Sequence, residues 1–123
     1  MSVPEYDRLM QANLAKVFGE HDPARRRDAI VELYAEDAAF YEPDSVATGH
    51  AEIAAAVASL LNSLPPAFAF SANGPAVGHH GVGRLRWSSG PVGGPAAVTG
   101  TDVAHFEGGK IQSLYVFLDP PSA

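Results

Sequence analysis

The sequence predicts an α+β fold in which three N-terminal helices pack on a curved, mostly antiparallel sheet. Two observations carry that prediction. Helical periodicity governs residues 5–64, interrupted by one short strand, whereas period-two alternation with Gly and Pro punctuation governs the rest of the chain. Helices gathered in one half and strands in the other favour separate layers over alternating βαβ units, with the sheet wrapped around a long N-terminal helix. At 123 residues the chain suits a single domain, 1–123, with one core.

Each element follows from its local pattern. In residues 5–19, Leu9, Met10, Leu14, Val17 and Phe18 recur at helical spacing and make a stripe that faces a core. "GEHDP" breaks this helix, because Pro23 suits the first turn of a new helix but not the interior of an old one. A second helix is expected from about Ala24 to Ala35, with Ile30, Val31, Leu33 and Tyr34 on its apolar side. "AAFYEPD" reads as a short strand stopped by Pro43, which places Phe40 and Glu42 on one face. "GHAEIAAAVASLLNSL" is a third helix, turning Ile53, Val57, Leu60, Leu61 and Leu64 inward until Pro65 and Pro66 end it.

The remaining segments read as strands. "AFAFSANG" alternates Phe68 and Phe70 with small residues, and "GVGRLRWSS" sets Leu85 and Trp87 opposite Arg84 and Arg86. "EGG" at 107–109 signals a tight hairpin. The last strand, "KIQSLYVFLD", carries Leu114, Val116 and Leu118 on one face and Tyr115 and Phe117 on the other. A strand that is apolar on both faces needs cover on both, so helices are expected on one side and a second copy of the chain, packed sheet to sheet, on the other.

Composition excludes several function classes. No apolar run approaches the ~20 residues of a membrane span. "MSVPEYDRLM" has no basic start followed by an apolar stretch, which predicts a cytoplasmic location. With no cysteine, disulfides, thiolate catalysis and Cys-ligated zinc are excluded. A net charge of -6 disfavours nucleic-acid binding, and "ARRRD" at 24–28 reads as a solvated helix start. No His-x-His or His-x-x-x-His pair is present, and His79 and His80 in one strand would point apart, so neither a metal nor a cofactor is expected.

Asp102 is the residue that calls for explanation. In "GTDVAHFEGGKI" it shares a strand face with Val98, Gly100, Ala104 and Phe106, while Thr99, Thr101, Val103 and His105 take the other. A carboxylate on the oilier face is costly unless it is protonated, paired or engaged in chemistry. Thr99, Thr101 or a helix-end amide would satisfy it structurally; a pocket would make it a general acid, a base or a donor to a carbonyl.

"VELYAEDAAFYEP", "GHAEIAAAV" and "TGTDVAHFEGGKIQSLYVFLD" together resemble the superfamily that includes nuclear transport factor 2, ketosteroid isomerases and SnoaL-like polyketide cyclases. The resemblance spans nearly the whole chain and implies a cone-shaped α+β barrel, a fold that hosts enzymes, binders and transport factors alike. In the isomerases a general-base carboxylate precedes the proline that ends the first short strand, which corresponds here to Glu42. A second carboxyl, kept protonated by apolar surroundings so that it donates to an oxyanion, lies on the strand entering the last hairpin, which corresponds to Asp102. Their catalytic tyrosine in the first helix is replaced by Leu14, which leaves an isomerase-type oxyanion site one hydroxyl short.

The candidate catalytic residues are therefore Asp102 and Glu42. The candidate pocket walls are Leu14, Phe18, Phe40, Val57, Leu61, Trp87 and Phe106, and the expected ligand is a small apolar molecule. Cofactor-independent proton transfer of isomerase or cyclase type, a non-catalytic binder and a dimeric interaction module are the functional expectations. An epoxide hydrolase of the same superfamily would need an arginine beside its acids, whereas Arg84 and Arg86 are expected to point away from Asp102.

Overall fold

Helix α1, Val3–Asn13, begins where Ser2 Oγ accepts the N–H of Glu5 and the Glu5 carboxylate accepts that of Ser2, a reciprocal cap that satisfies two orphan donors. The computed structural model describes residues 1–120. The helix widens into a π-turn over Leu14–Phe18, which brings Leu14, Val17 and Phe18 to the buried side with Leu9 and Met10. Helix α2, Pro23–Leu33, is capped by Asp22, whose carboxylate accepts the N–H of Arg25. It ends at Leu33 and not near Ala35, because Tyr34 already has extended backbone and opens strand β1, Tyr34–Glu42. Val31 is exposed and not buried, since it sits about 100° around the helix from the fully buried Ile30.

Pro43 ends β1 as expected, but it also forms a turn with Asp44 into a short strand that the sequence does not announce, β2, Ser45–Thr48. Helix α3, Gly49–Ser63, follows. The remaining strands are β3 (Phe68–Ala72), β4 (Val77–His79), β5 (Val82–Pro91), β6 (Val98–Glu107) and β7 (Lys110–Leu118). Strand β4 is a second unannounced element, too short for alternation to reveal.

Among the described residues the sheet has seven strands in the order β2-β1-β7-β6-β5-β3, with β4 paired to β5. Only β1 with β7 is parallel; the other pairings are antiparallel. Gly108 and Gly109, both at positive φ, make the two-residue turn between β6 and β7 that the sequence signals. Ala104 opposes Leu114 but Phe106 opposes Ile111, so β7 carries one extra residue as a bulge. That bulge lets Ile111 and Leu114, three apart in sequence, both turn inward and be fully buried.

The core lies between the three helices and the concave face of the sheet, with Met10, Val17, Ile30, Tyr34, Phe40, Ile53 and Leu85 among its buried members. The sequence-predicted α+β class, with helices on a curved and mostly antiparallel sheet, is the observed architecture. Among the described residues no helix is long and apolar enough to cross a membrane.

Candidate functional site

A cavity of about 180 Å³ opens between the π-turn, the end of α3 and the concave face of the sheet. Its wall is almost wholly apolar, and among its lining residues are Leu14, Phe18, Phe40, Phe70 and Trp87. Phe18 packs edge-to-face on Phe40 at 5.7 Å and on Phe70 at 6.1 Å, and Phe70 meets Trp87 at 5.5 Å. This aromatic chain bounds the space and holds its shape. Pockets for drug-sized ligands run to roughly 300–1,000 Å³, so this one suits a smaller molecule.

Both candidate acids border the same cavity. Asp102 projects from β6 between Gly100 and Ala104 and is only 3% exposed. Its Oδ1 accepts the indole N–H of Trp87 at 2.9 Å. Burial pushes its carboxyl from 3.8 up to about 7, against the opposing pull of the Trp87 hydrogen bond. Near neutral pH the residue therefore exists in both proton states, a condition suited to proton transfer. The partners that would have explained it structurally lie elsewhere: Thr99 and Thr101 are on the opposite strand face, and Thr99 Oγ1 donates to Asp119 at 2.6 Å. Trp87, expected only as an apolar wall, is also the donor that orients the acid.

The approach of Trp87 depends on a glycine. A Cβ at position 100 would stand 2.5 Å from Cζ2 of the indole, so Gly100 opens the space in which the ring lies. Glu42 is half-buried at the end of β1, where Pro43 terminates the strand, and it borders the cavity with that proline. Asp44 is exposed in the turn and takes no part.

Three expected wall residues are placed differently. Val57 is fully buried in the solid core, because its turn of α3 faces packed side chains and not the open end. Phe106 packs edge-to-face on Tyr6 at 5.6 Å, at the filled end of β6. Leu61 borders a neighbouring cavity of about 250 Å³ that shares Phe18, Leu64 and Phe70 with the first.

Two polar residues of this region are not among the sequence-predicted site residues. Tyr34 is 1% exposed, and its hydroxyl donates to Asn13 Oδ1 at 2.6 Å. Burial, followed by the charge of Asp102, drives its ionisation well above the ordinary tyrosine range, so the hydroxyl stays protonated. Ser89 lines the cavity with its hydroxyl unpaired. Its signal was available, since it follows Trp87 by two and takes the same strand face.

The histidines sit outside this site. His80 has a φ of 51°, so His79 and His80 turn toward each other with their Nδ1 atoms 2.9 Å apart, which corrects the expectation that they diverge. Both are exposed. Among the described residues no group of three or more metal-ligating side chains gathers. His50 Nε2 bonds the Tyr34 carbonyl oxygen at 2.9 Å and ties α3 to β1. Arg84 and Arg86 lie on the face away from Asp102, and Arg86 reaches Asp119 at 3.3 Å.

Residues 12–114 match the model of the SnoaL-like domain, and the chain belongs to that family. Its fold superimposes on a candidate isomerase of the SnoaL-like family from Agrobacterium tumefaciens with a TM-score of 0.87 at 27% identity, over 95% of this chain and 99% of that one. A candidate SnoaL-like polyketide cyclase from Jannaschia gives 0.77 at 11% identity, over 95% and 87%. A candidate ketosteroid isomerase from Kribbella flavida gives 0.72 at 14%, over 98% and 85%. The last two likenesses concern the fold alone. No curated protein matches the chain in sequence.

Proposed function

We propose that this protein binds a small apolar carbonyl compound in the cone and catalyses cofactor-independent proton transfer on it, as an isomerase or cyclase does. The observation that carries this reading is that two carboxyl groups, Asp102 and Glu42, border one cavity whose walls are mostly apolar. Glu42 acts as the base and removes a proton from the carbon next to the carbonyl, whose bond electrons move onto the oxygen as an enolate. Asp102, in its protonated state, donates a hydrogen bond to that oxygen from the free side of its carboxyl, while Trp87 holds the other oxygen. Return of the proton from Glu42 to a different carbon completes an isomerisation with no net change of atoms or electrons. Leu14 stands where the isomerases bring a tyrosine, so the oxyanion here has one donor fewer, and the modest cavity favours substrates of one or two rings over a steroid.

The test is deuterium exchange. 2-Tetralone, a two-ring ketone with acidic α-hydrogens, is incubated with the protein in D2O and followed by proton NMR. Protein-dependent exchange that is lost in Asp102→Leu and Glu42→Gln supports the proposal. Saturable binding without any protein-dependent exchange, with affinity changed by Asp102→Leu, replaces the enzyme by a binder of small apolar molecules.

The convex face supports a homodimer as part of the same proposal. Tyr41 stacks on Tyr115 at 4.5 Å, and Phe117 beside them is 56% exposed. Covering that face with a second copy would bury it sheet to sheet. Phe117→Glu is then expected to shift sedimentation from dimer to monomer, and a wild-type monomer at micromolar concentration would refute it.

A further inference from the structure

Ser89 is 4% exposed, borders the cavity and has a hydroxyl without a hydrogen-bond partner among the described residues. A buried hydroxyl in that state weakens the fold, and a ligand atom bonded to it would relieve the cost. Strand register sets its relation to Asp102. Leu85 pairs with Asp102 and Ser89 pairs with Val98, so the serine lies four residues along and one strand across from the acid. That offset corresponds to about 14 Å between their Cα atoms. Both side chains take the concave face, and the indole of Trp87 lies over Gly100 between them. A hydrogen bond of about 2.8 Å at each end leaves about 8 Å for the body of a ligand.

We infer that Ser89 is the second anchoring residue of this site and selects ligands that carry a second oxygen about 8 Å from the one at Asp102, across a flat apolar body lying along Trp87. The inference rests on the reading of the cavity as a ligand site with Asp102 at its polar end. It narrows the substrate class to rigid two-ring compounds oxygenated at both ends.

Calorimetric titration at pH 6 with 2-naphthol and with 2,6-dihydroxynaphthalene tests it, since the two differ only in the second oxygen. The wild-type protein is expected to prefer the diol by about fivefold, and Ser89→Ala to reduce that ratio to about one. Because the substitution removes an unpaired buried hydroxyl, the ligand-free variant should melt at or above the wild-type temperature, a sign that a structurally bonded serine would reverse. Binding of both naphthols with the same ratio in wild type and variant overturns the role of Ser89 and leaves the ligand site standing. A variant that melts well below wild type overturns it as well, by making the hydroxyl structural. Failure of both naphthols to bind the wild-type protein removes the cavity reading and the inference with it.

Discussion

The two ends of strand β6 carry the same alternation and do opposite things. Toward Phe106 the cone is solid: that ring meets Tyr6 at 5.6 Å, and the backbone of Gly83 lies against Met10 and Tyr6. Toward Val98 and Asp102 it is hollow, with Trp87, Phe70 and Phe18 bordering a cavity instead of filling it. Inward-facing residues therefore become core or pocket according to what the first helix sets opposite them, and a helix that crosses the sheet fills only the end it approaches closely. The acid lies at the hollow end, where burial still raises its proton affinity but a ligand has room.

The sharpest way to break this comparison is to truncate an aromatic at each end. Phe106→Ala should cost about 3–5 kcal/mol in denaturant unfolding, and Phe70→Ala about half that or less, because Phe70 already borders a void. Equal losses would mean that the hollow end is as well packed as the other. Next in size is the pH dependence of Asp102. Its carboxyl titrates near 3.8 when unfolded and near 7 when folded, so folding above pH 7 has to bury a charge. The contribution of Asp102 to stability is full below about pH 4, falls as pH rises to about 7 and then levels, with a total loss on the order of 4 kcal/mol. Asp102→Asn should abolish that fall and be the more stable protein at pH 8, as measured by thermal melts across the range. An unchanged profile would show that the acid is solvated.

Gly100→Ala should destabilise by about 1–3 kcal/mol, because the new methyl displaces the Trp87 indole. Trp87 is the chain's single tryptophan, so its fluorescence reports that displacement directly. The smallest effect is expected on the convex face, where Arg86→Ala removes an exposed pair with Asp119 and should cost less than about 1 kcal/mol, diminishing with salt. A larger loss there would indicate that a partner desolvates the pair.

Much of the candidate site's arrangement was legible in the chain. Alternation on β5 and β6 put Trp87 and Asp102 on one inner face, and the proline after Glu42 marked where that strand ends. Leu14, Phe18 and Phe40 were legible as inward residues for the same reason. Periodicity could not separate them from Val57 and Phe106, which face inward just as surely but lie where the interior is filled. Ser89 obeys the strand rule that identified Trp87, yet a small polar residue beside a Gly/Pro turn reads as loop chemistry. The facing histidines at 79 and 80 depend on a positive φ at His80 that its residue type does not announce.

What the sequence by itself determined was the face most residues take, because a regular helix repeats every ~3.6 residues and a regular strand every two; Val31, which is exposed, and Ile111, which the β7 bulge turns inward, are exceptions. Its hairpin glycines, its helix-starting prolines and its acid among apolar neighbours are local facts of the same kind. Depth was decided only by the tertiary structure. Whether an inward residue meets another side chain or open space depends on the π-turn in the first helix, the bulge in β7 and the volumes that residues far apart in sequence bring together, and no local period records those distances.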